Sequence, residues 1–168
     1  MNLKAIFLKP ESTLSMVIIA VILFLSSCNS SSKKIDPFYT DRGDWDDFEV
    51  PLIKPYKMII LNGSKEWGMN MEQGSMLEDI REVNVINGVI LAHCKKTIFY
   101  PENVNKEAWA IIIPSKKFEK IFAIHYQYVQ YLKSIGFEAS PELYDVNDVA
   151  EYAGHYDIVN WKEIKSNN

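Results

Sequence analysis

Phe118-Glu-Lys-Ile-Phe122-Ala-Ile-His125-Tyr-Gln-Tyr128-Val-Gln-Tyr131-Leu-Lys-Ser-Ile135 is the stretch on which the fold class turns, because it can be counted at two periods. Counted at 3.6 residues per turn, Phe118, Ile121, Phe122, His125, Tyr128, Val129, Leu132 and Ile135 share one stripe, with Lys120, Ala123, Gln127, Gln130 and Ser134 opposite. Counted at two, Phe122, Ile124, Tyr126 and Tyr128 alternate, and fewer residues are accounted for. Ser115 offers a cap before the stretch and Gly136 a stop after it. The helical count predicts one long amphipathic helix, which needs a sheet to lie on.

That sheet is legible on the N-terminal side. Val83-Asn-Val-Ile86 and Val89-Ile-Leu-Ala-His-Cys94 are β-prone runs joined by Asn87-Gly88, a dipeptide suited to the type I′ hairpin turn. Pairing Ile86 with Val89 puts Val83, Val85, Ile90, Ala92 and Cys94 on one apolar face. Glu82, Asn84, Ile86, Val89, Leu91 and His93 fall on the other, which makes His93 a surface histidine and Cys94 a buried small hydrophobe. Trp109-Ala-Ile-Ile-Ile113, ended by Pro114, reads as a central strand covered on both faces. Tyr56 to Leu61 suits a strand ended at Asn62-Gly63, with Glu66 to Met71 as its hairpin partner and Pro51 and Pro55 limiting pairing on one side. Asp36 to Glu49 has neither period and is expected as an ordered lead-in that lays Phe38, Tyr39, Trp45 and Phe48 on the domain.

Toward the C-terminus, Ser140-Pro141-Glu142 is an N-cap followed by Pro, where a short helix or turn is expected to begin, and Asp148-Val-Ala-Glu151 resembles a capping box for a second short helix ending near Gly154. Tyr156 to Trp161 is expected as a closing strand or ordered tail. The predicted class is therefore α+β: a small antiparallel-rich sheet, one long amphipathic helix packed on it, and short C-terminal helices.

The other end of the chain is not domain material. Lys4 and Lys9 precede an unbroken apolar run from Leu14 to Leu25, the order of a positive n-region and an h-region in an export signal. As a helix this run spans roughly 18 Å, short of the ~30 Å hydrocarbon core of a bilayer. It ends in Leu25-Ser26-Ser27-Cys28, which resembles the lipobox of bacterial lipoproteins at all four positions. The resemblance implies cleavage before Cys28, acylation of its thiol, and a lipid anchor too strong to leave the membrane. The expected division is a signal peptide at residues 1–27, lipidated cysteine and flexible tether at 28–36, and a single α+β domain at 37–168. With Cys28 acylated, Cys94 has no partner for a disulfide, and stability must come from the core.

Composition narrows the function. The formal net charge is −4, and losing Lys4, Lys9 and Glu11 with the leader makes it one unit more negative. A surface of that sign, with no concentrated basic face, excludes nucleic acid as a natural partner. Catalytic and metal spacings are missing: there is no His-Glu-x-x-His, no Gly-x-Ser-x-Gly, no phosphate loop, and no second free cysteine for zinc. No cofactor is expected. Three candidates are left. His125 is a polar group on the apolar stripe, and Asp44 and Asp46 belong to the run from Asp41 to Asp47, whose glycine and ligand spacing depart from a calcium loop. Arg42-Gly43-Asp44 matches an adhesion tripeptide, but three residues carry little information. Tyr126, Tyr128 and Tyr131 leave aromatic edges of a kind favoured at protein interfaces.

The mature part also resembles a group of small uncharacterised lipoproteins of bacteria, through Gly43-Asp-Trp, Pro51-Leu-Ile-Lys-Pro-Tyr56, Glu66-Trp-Gly68, Val85-Ile-Asn-Gly88 and Tyr131-Leu-Lys-Ser-Ile-Gly136. That resemblance implies a similar α+β domain and a place in the cell envelope, on the outer membrane or the extracytoplasmic face of the cell membrane. It transfers no activity to any residue. The expectation for function is a membrane-anchored, non-enzymatic domain that binds an envelope protein. The rival is an envelope hydrolase or small-ligand-binding domain using His125 or the Asp41–Asp47 cluster.

Overall fold

The computed structural model describes residues 34–43, 47–60, 65–72, 74–99 and 106–164. The leader, Cys28, most of the tether, and Asp44, Trp45 and Asp46 lie outside them. Among the described residues, eight strands and two ten-residue helices follow one another as β1 (Glu49–Ile53), β2 (Tyr56–Ile60), β3 (Trp67–Asn70), β4 (Ser75–Ile86), β5 (Val89–Phe99), β6 (Ala108–Ile113), β7 (Phe118–Phe122), α1 (His125–Ser134), β8 (Tyr144–Asp145) and α2 (Val146–His155). The first seven strands each pair antiparallel with the next, in chain order, and β8 adds to β4. From β1 to β7 every connection is local, as expected of a meander, and only β8 returns across the fold to pair with β4.

The centre of the sheet is the β4–β5 hairpin. Asn87 (φ 52°) and Gly88 (φ 75°) both take positive φ, the requirement of a type I′ turn, and Ile86 pairs with Val89. β4 is long enough to serve three partners: Met76 and Leu77 pair with β3, Glu82 and Val83 with β8, and the whole strand with β5. Between the two short partners Arg81 is an extra residue in the ladder, and Asp79 adopts a φ of 51°. Such a bulge bends a strand and tightens its twist. The resulting curl brings β7 to the other end of the sheet: the Glu119 carboxylate accepts from the Tyr56 hydroxyl at 2.9 Å and from the Glu72 backbone N–H at 2.7 Å.

Alternation along the curled sheet makes two cores. On the inner face Val50, Met58, Met69, Leu77, Ile80, Val83, Ile90, Ala92, Cys94, Ala110 and Ile112 are buried together and closed over by Val146, Val149 and Ala153 of α2 and by Ile164. On the outer face Val89, Leu91, Ile111, Ile113 and Phe122 lie under Tyr128 and Leu132 of α1. β5 and β6 are thus covered on both sides, which is why Leu91, Ile111 and Ile112 alternate yet are all fully buried. Each such aliphatic side chain contributes about 1.5–3 kcal/mol relative to exposure.

The α+β expectation is corrected to a mostly β fold, because among the described residues no helix exceeds ten residues. Its predicted first turns are β7 instead. Pro114–Lys116 makes a tight 3-10 turn, Lys117 takes a left-handed conformation (φ 49°, ψ 42°), and the chain returns antiparallel on β6 with Ile113 opposite Phe118 and Trp109 opposite Phe122. Phe118 and Phe122 sit four residues apart, a spacing that keeps one face in a helix and in a strand alike. Ile121 separates the readings: it packs on the inner core while the two phenylalanines join the outer one. Only from His125 does the helix run, with Tyr128 and Leu132 as its buried residues.

Two smaller expectations change as well, and a third resolves to one of its two alternatives. Ser140-Pro141-Glu142 starts no helix. α2 begins earlier than the Asp148 box, capped by Asp145, whose carboxylate accepts from the Asn147 N–H at 2.8 Å, while Asp148 sits in the first turn, where the helix dipole favours a negative charge. Tyr156–Trp161 is ordered tail rather than strand, with Val159 and Trp161 packed against the inner core. The lead-in does lie on the domain: Asp36 caps the 3-10 turn Pro37–Tyr39, and Phe48 meets Trp67 edge-on at 6.1 Å. β1 carries Pro51 at the sheet's edge, where its missing N–H costs least.

Candidate functional site

Of the residues singled out from sequence, Cys28, Asp44 and Asp46 lie outside the described residues. The flanks of the acidic run are engaged locally: Asp41 accepts from the Gly43 N–H at 3.1 Å and pairs with Lys57 at 3.0 Å, and Lys57 also pairs with Glu49. Those hydrogen bonds hold the Asp41 carboxyl below its ordinary pKa, the Gly43 amide contributing first. Arg42 is structural. Its guanidinium donates to the carbonyls of Ala153 (3.0 Å), Tyr39 (3.0 Å), Tyr156 (2.9 Å) and Asp157 (2.8 Å), so the tripeptide's cation is spent on the C-terminus of α2. Among the described residues no three His, Cys, Asp or Glu side chains are placed to hold a metal ion.

His125 is not in the core. It opens α1 exposed, with its ring 5.0 Å from Trp109 and 5.8 Å from Tyr128. The histidine drawn inward is His93, expected at the surface and in fact 15% exposed. Its Nδ1 lies 2.9 Å from Glu82 and its Nε2 2.9 Å from Glu107, and its ring stacks on Trp109 at 4.9 Å with 8° between the planes. The placement is a cross-strand row: Glu82 on β4, His93 on β5, Trp109 on β6 and Phe122 on β7 are successive register partners on the outer face. The Asn-Gly turn already sets Glu82 opposite His93, and that was the signal in the sequence. The neighbour Trp109 needed the β5–β6 register, which no local motif supplies.

Chemically the row is closed. Each ring nitrogen lies at hydrogen-bond distance from a carboxylate, a neutral imidazole has a single N–H with which to donate to one of them, and neither nitrogen is left facing open solvent. Nearby, the Tyr128 hydroxyl is buried with no hydrogen-bond partner among the described residues. Burial, followed by the charge of Glu82, raises its pKa above the ordinary tyrosine range.

The other flank of α1 is open. Here β7 and α1 bound a groove of about 490 Å³ whose lining includes Lys120, Phe122, Tyr126 and Tyr131. The Lys120 ammonium lies 5.1 Å from the Phe122 ring centre and 4.6 Å from that of Tyr131, and Tyr131 stacks on Phe118 at 5.6 Å. Of the three tyrosines expected at an aromatic edge, Tyr128 is buried and Tyr131 half-buried in the groove. Tyr126 stands 69% exposed beside Ile124, itself 54% exposed. A second groove, of about 280 Å³, runs between α2 and the C-terminal turn past Glu151, His155 and Glu163.

Comparison of the chain with protein-family models, curated proteins and solved structures found no match. What the site can do rests on its own geometry.

Proposed function

We propose that this chain is a lipid-anchored protein of the bacterial envelope whose domain binds another protein, through the face built by β7 and the first turn of α1, without catalysing a reaction. The observation that carries the binding reading is the pair Ile124 and Tyr126, two large side chains more than half exposed, of which Tyr126 lines an open groove. Leaving them in water forgoes the burial that the rest of the outer core gains, and an exposed tyrosine beside an exposed aliphatic side chain is favoured at partner-binding faces. The leader and Leu25-Ser26-Ser27-Cys28 support the anchor. The engagement of both His93 nitrogens by carboxylates supports a structural rather than catalytic polar row.

A photo-crosslinking residue at Tyr126, compared with one at exposed Lys162 in intact cells, tests this. Position 126 is expected to yield a discrete protein adduct that position 162 does not, and identical patterns would refute the binding face. Fatty-acid labelling lost in Cys28→Ala is expected for the anchor, and equal labelling of both forms would refute it.

A further inference from the structure

The two outer edges of the sheet are treated differently. β1 carries Pro51, which removes one donor from its ladder, and the Asp36–Arg42 lead-in follows it in space: the Glu49 N–H donates to the Arg42 carbonyl, and Lys54 and Lys57 lie over Phe38. β7 has no proline, and among the described residues it pairs with β6 alone. In an antiparallel pair, alternate residues turn their N–H and C=O away from the partner strand. Along Phe118–Phe122 those groups are directed to the edge beside which the groove lies. An unpaired edge of this kind is a template for an added strand, and exposed edges are ordinarily blunted.

Charge narrows what the added strand carries. The protein is acidic overall, yet the groove lining contains no carboxylate, and its one charged side chain is Lys120. That ammonium makes no ion pair among the described residues; it rests on the faces of Phe122 and Tyr131. Cation–π contact of this kind holds a lysine in place without neutralising it. The tether that precedes the domain, with Lys33 and Lys34, has the wrong sign to fill the groove.

Resting on the binding reading above, we infer that the partner contributes an extended segment that adds to the open edge of β7 as a further strand, with an acidic side chain set against Lys120 and apolar ones against Tyr126 and Tyr131. At about 3.3 Å per residue, the five residues of β7 match a partner stretch of four or five residues. Main-chain pairing gives the segment its affinity, and the lysine its preference.

The test is selection of random dodecapeptides displayed on phage against the full-length lipidated protein in detergent micelles. Selected peptides are expected to be β-prone and enriched in Asp or Glu. They should lose at least tenfold in affinity on Lys120→Glu, keep it on Lys120→Arg, and slow the exchange of alternate β7 amides when bound. Basic or amphipathic-helical peptides, acidic ones indifferent to Lys120→Glu, or no selection above background would each overturn the inference. So would a Lys120→Ala form that self-associates through β7 while the wild type takes no peptide, since Lys120 would then be a guard against self-pairing. In any of these cases a specific crosslink from position 126 would leave the binding face itself standing, and its absence would remove both.

Discussion

Cys94 turns an otherwise silent core residue into a measurable dependence of stability on pH. It is fully buried on β5, its thiol donating to the Ala108 carbonyl at 3.6 Å. Burial first, then the charges of Asp79 and Glu107, push that thiol from 9.0 up to about 12. Below pH 9 the thiol is protonated whether the chain is folded or not, and it adds no pH dependence. Between 9 and 12 the unfolded thiol ionises while the folded one does not, so stability falls as pH rises, until the folded thiol ionises too. Two pH units above the unfolded value, at pH 11, the loss amounts to about 3 kcal/mol. The clean measurement is urea denaturation at pH 8 and pH 11 of Cys28→Ala and of Cys28→Ala/Cys94→Ala, the first of which leaves Cys94 as the one thiol in the chain. Truncating Cys94 costs packing at both pH values, and that cost cancels in the comparison. The double variant is expected to lose about 3 kcal/mol less between the two pH values; equal losses would refute the reasoning.

Tyr128→Phe removes a buried hydroxyl without a partner and keeps the ring against Phe122 and His125. It is expected to raise stability by about 1 kcal/mol in thermal or urea unfolding; destabilisation would mean that the hydroxyl is satisfied. Gly43 and Gly88 both have positive φ (74° and 75°), but a Cβ on Gly43 would stand 1.9 Å from the Asp47 carbonyl oxygen, while one on Gly88 meets nothing within 4 Å. Gly88→Ala is therefore expected to cost about 1–2 kcal/mol and Gly43→Ala distinctly more; equal midpoint shifts would contradict this. Arg42→Ala strips the fork from three carbonyls at the end of α2 and from Tyr39. A loss of about 2–4 kcal/mol is expected, with Arg42→Lys recovering less than half because an ammonium cannot span the same fork. Full rescue by lysine would show that charge alone matters.

The parts of the fold visible in the sequence are those in which two local signals agree. At Asn87-Gly88 the turn chemistry and the alternation on either side point to one register, and the inner-face set Val83, Val85, Ile90, Ala92 and Cys94 is found together in the core. Trp109–Ile113 had length and a proline stop, and Tyr56–Leu61 had a turn signal. Phe118–Ile135 had no such agreement. Its opening residues satisfy both periods, and the arbiter, a left-handed Lys117 that folds the chain back on β6, is a conformation that lysine does not advertise. The site was hidden for a related reason. His93 gains its role from Glu107, outside the hairpin, and from Trp109 on the next strand, whereas His125 stood out only because a helix two turns too long placed it on the apolar stripe.

The Arg42 fork also decides where a pull would be felt. If the chain is held by acyl groups at Cys28, as proposed above, a partner tugging on the domain loads the polypeptide from its N-terminal side. The first bonds in series are the Asp36–Lys54 pair and the carbonyl contacts of Arg42, reached before any strand of the sheet. Because the fork also grips Ala153, Tyr156 and Asp157, part of that strain is handed to the C-terminal end of α2. A partner seated on β7 still draws its load through the sheet, but that clasp shares it before β1 does, much as a buckle takes the first tug before the cloth.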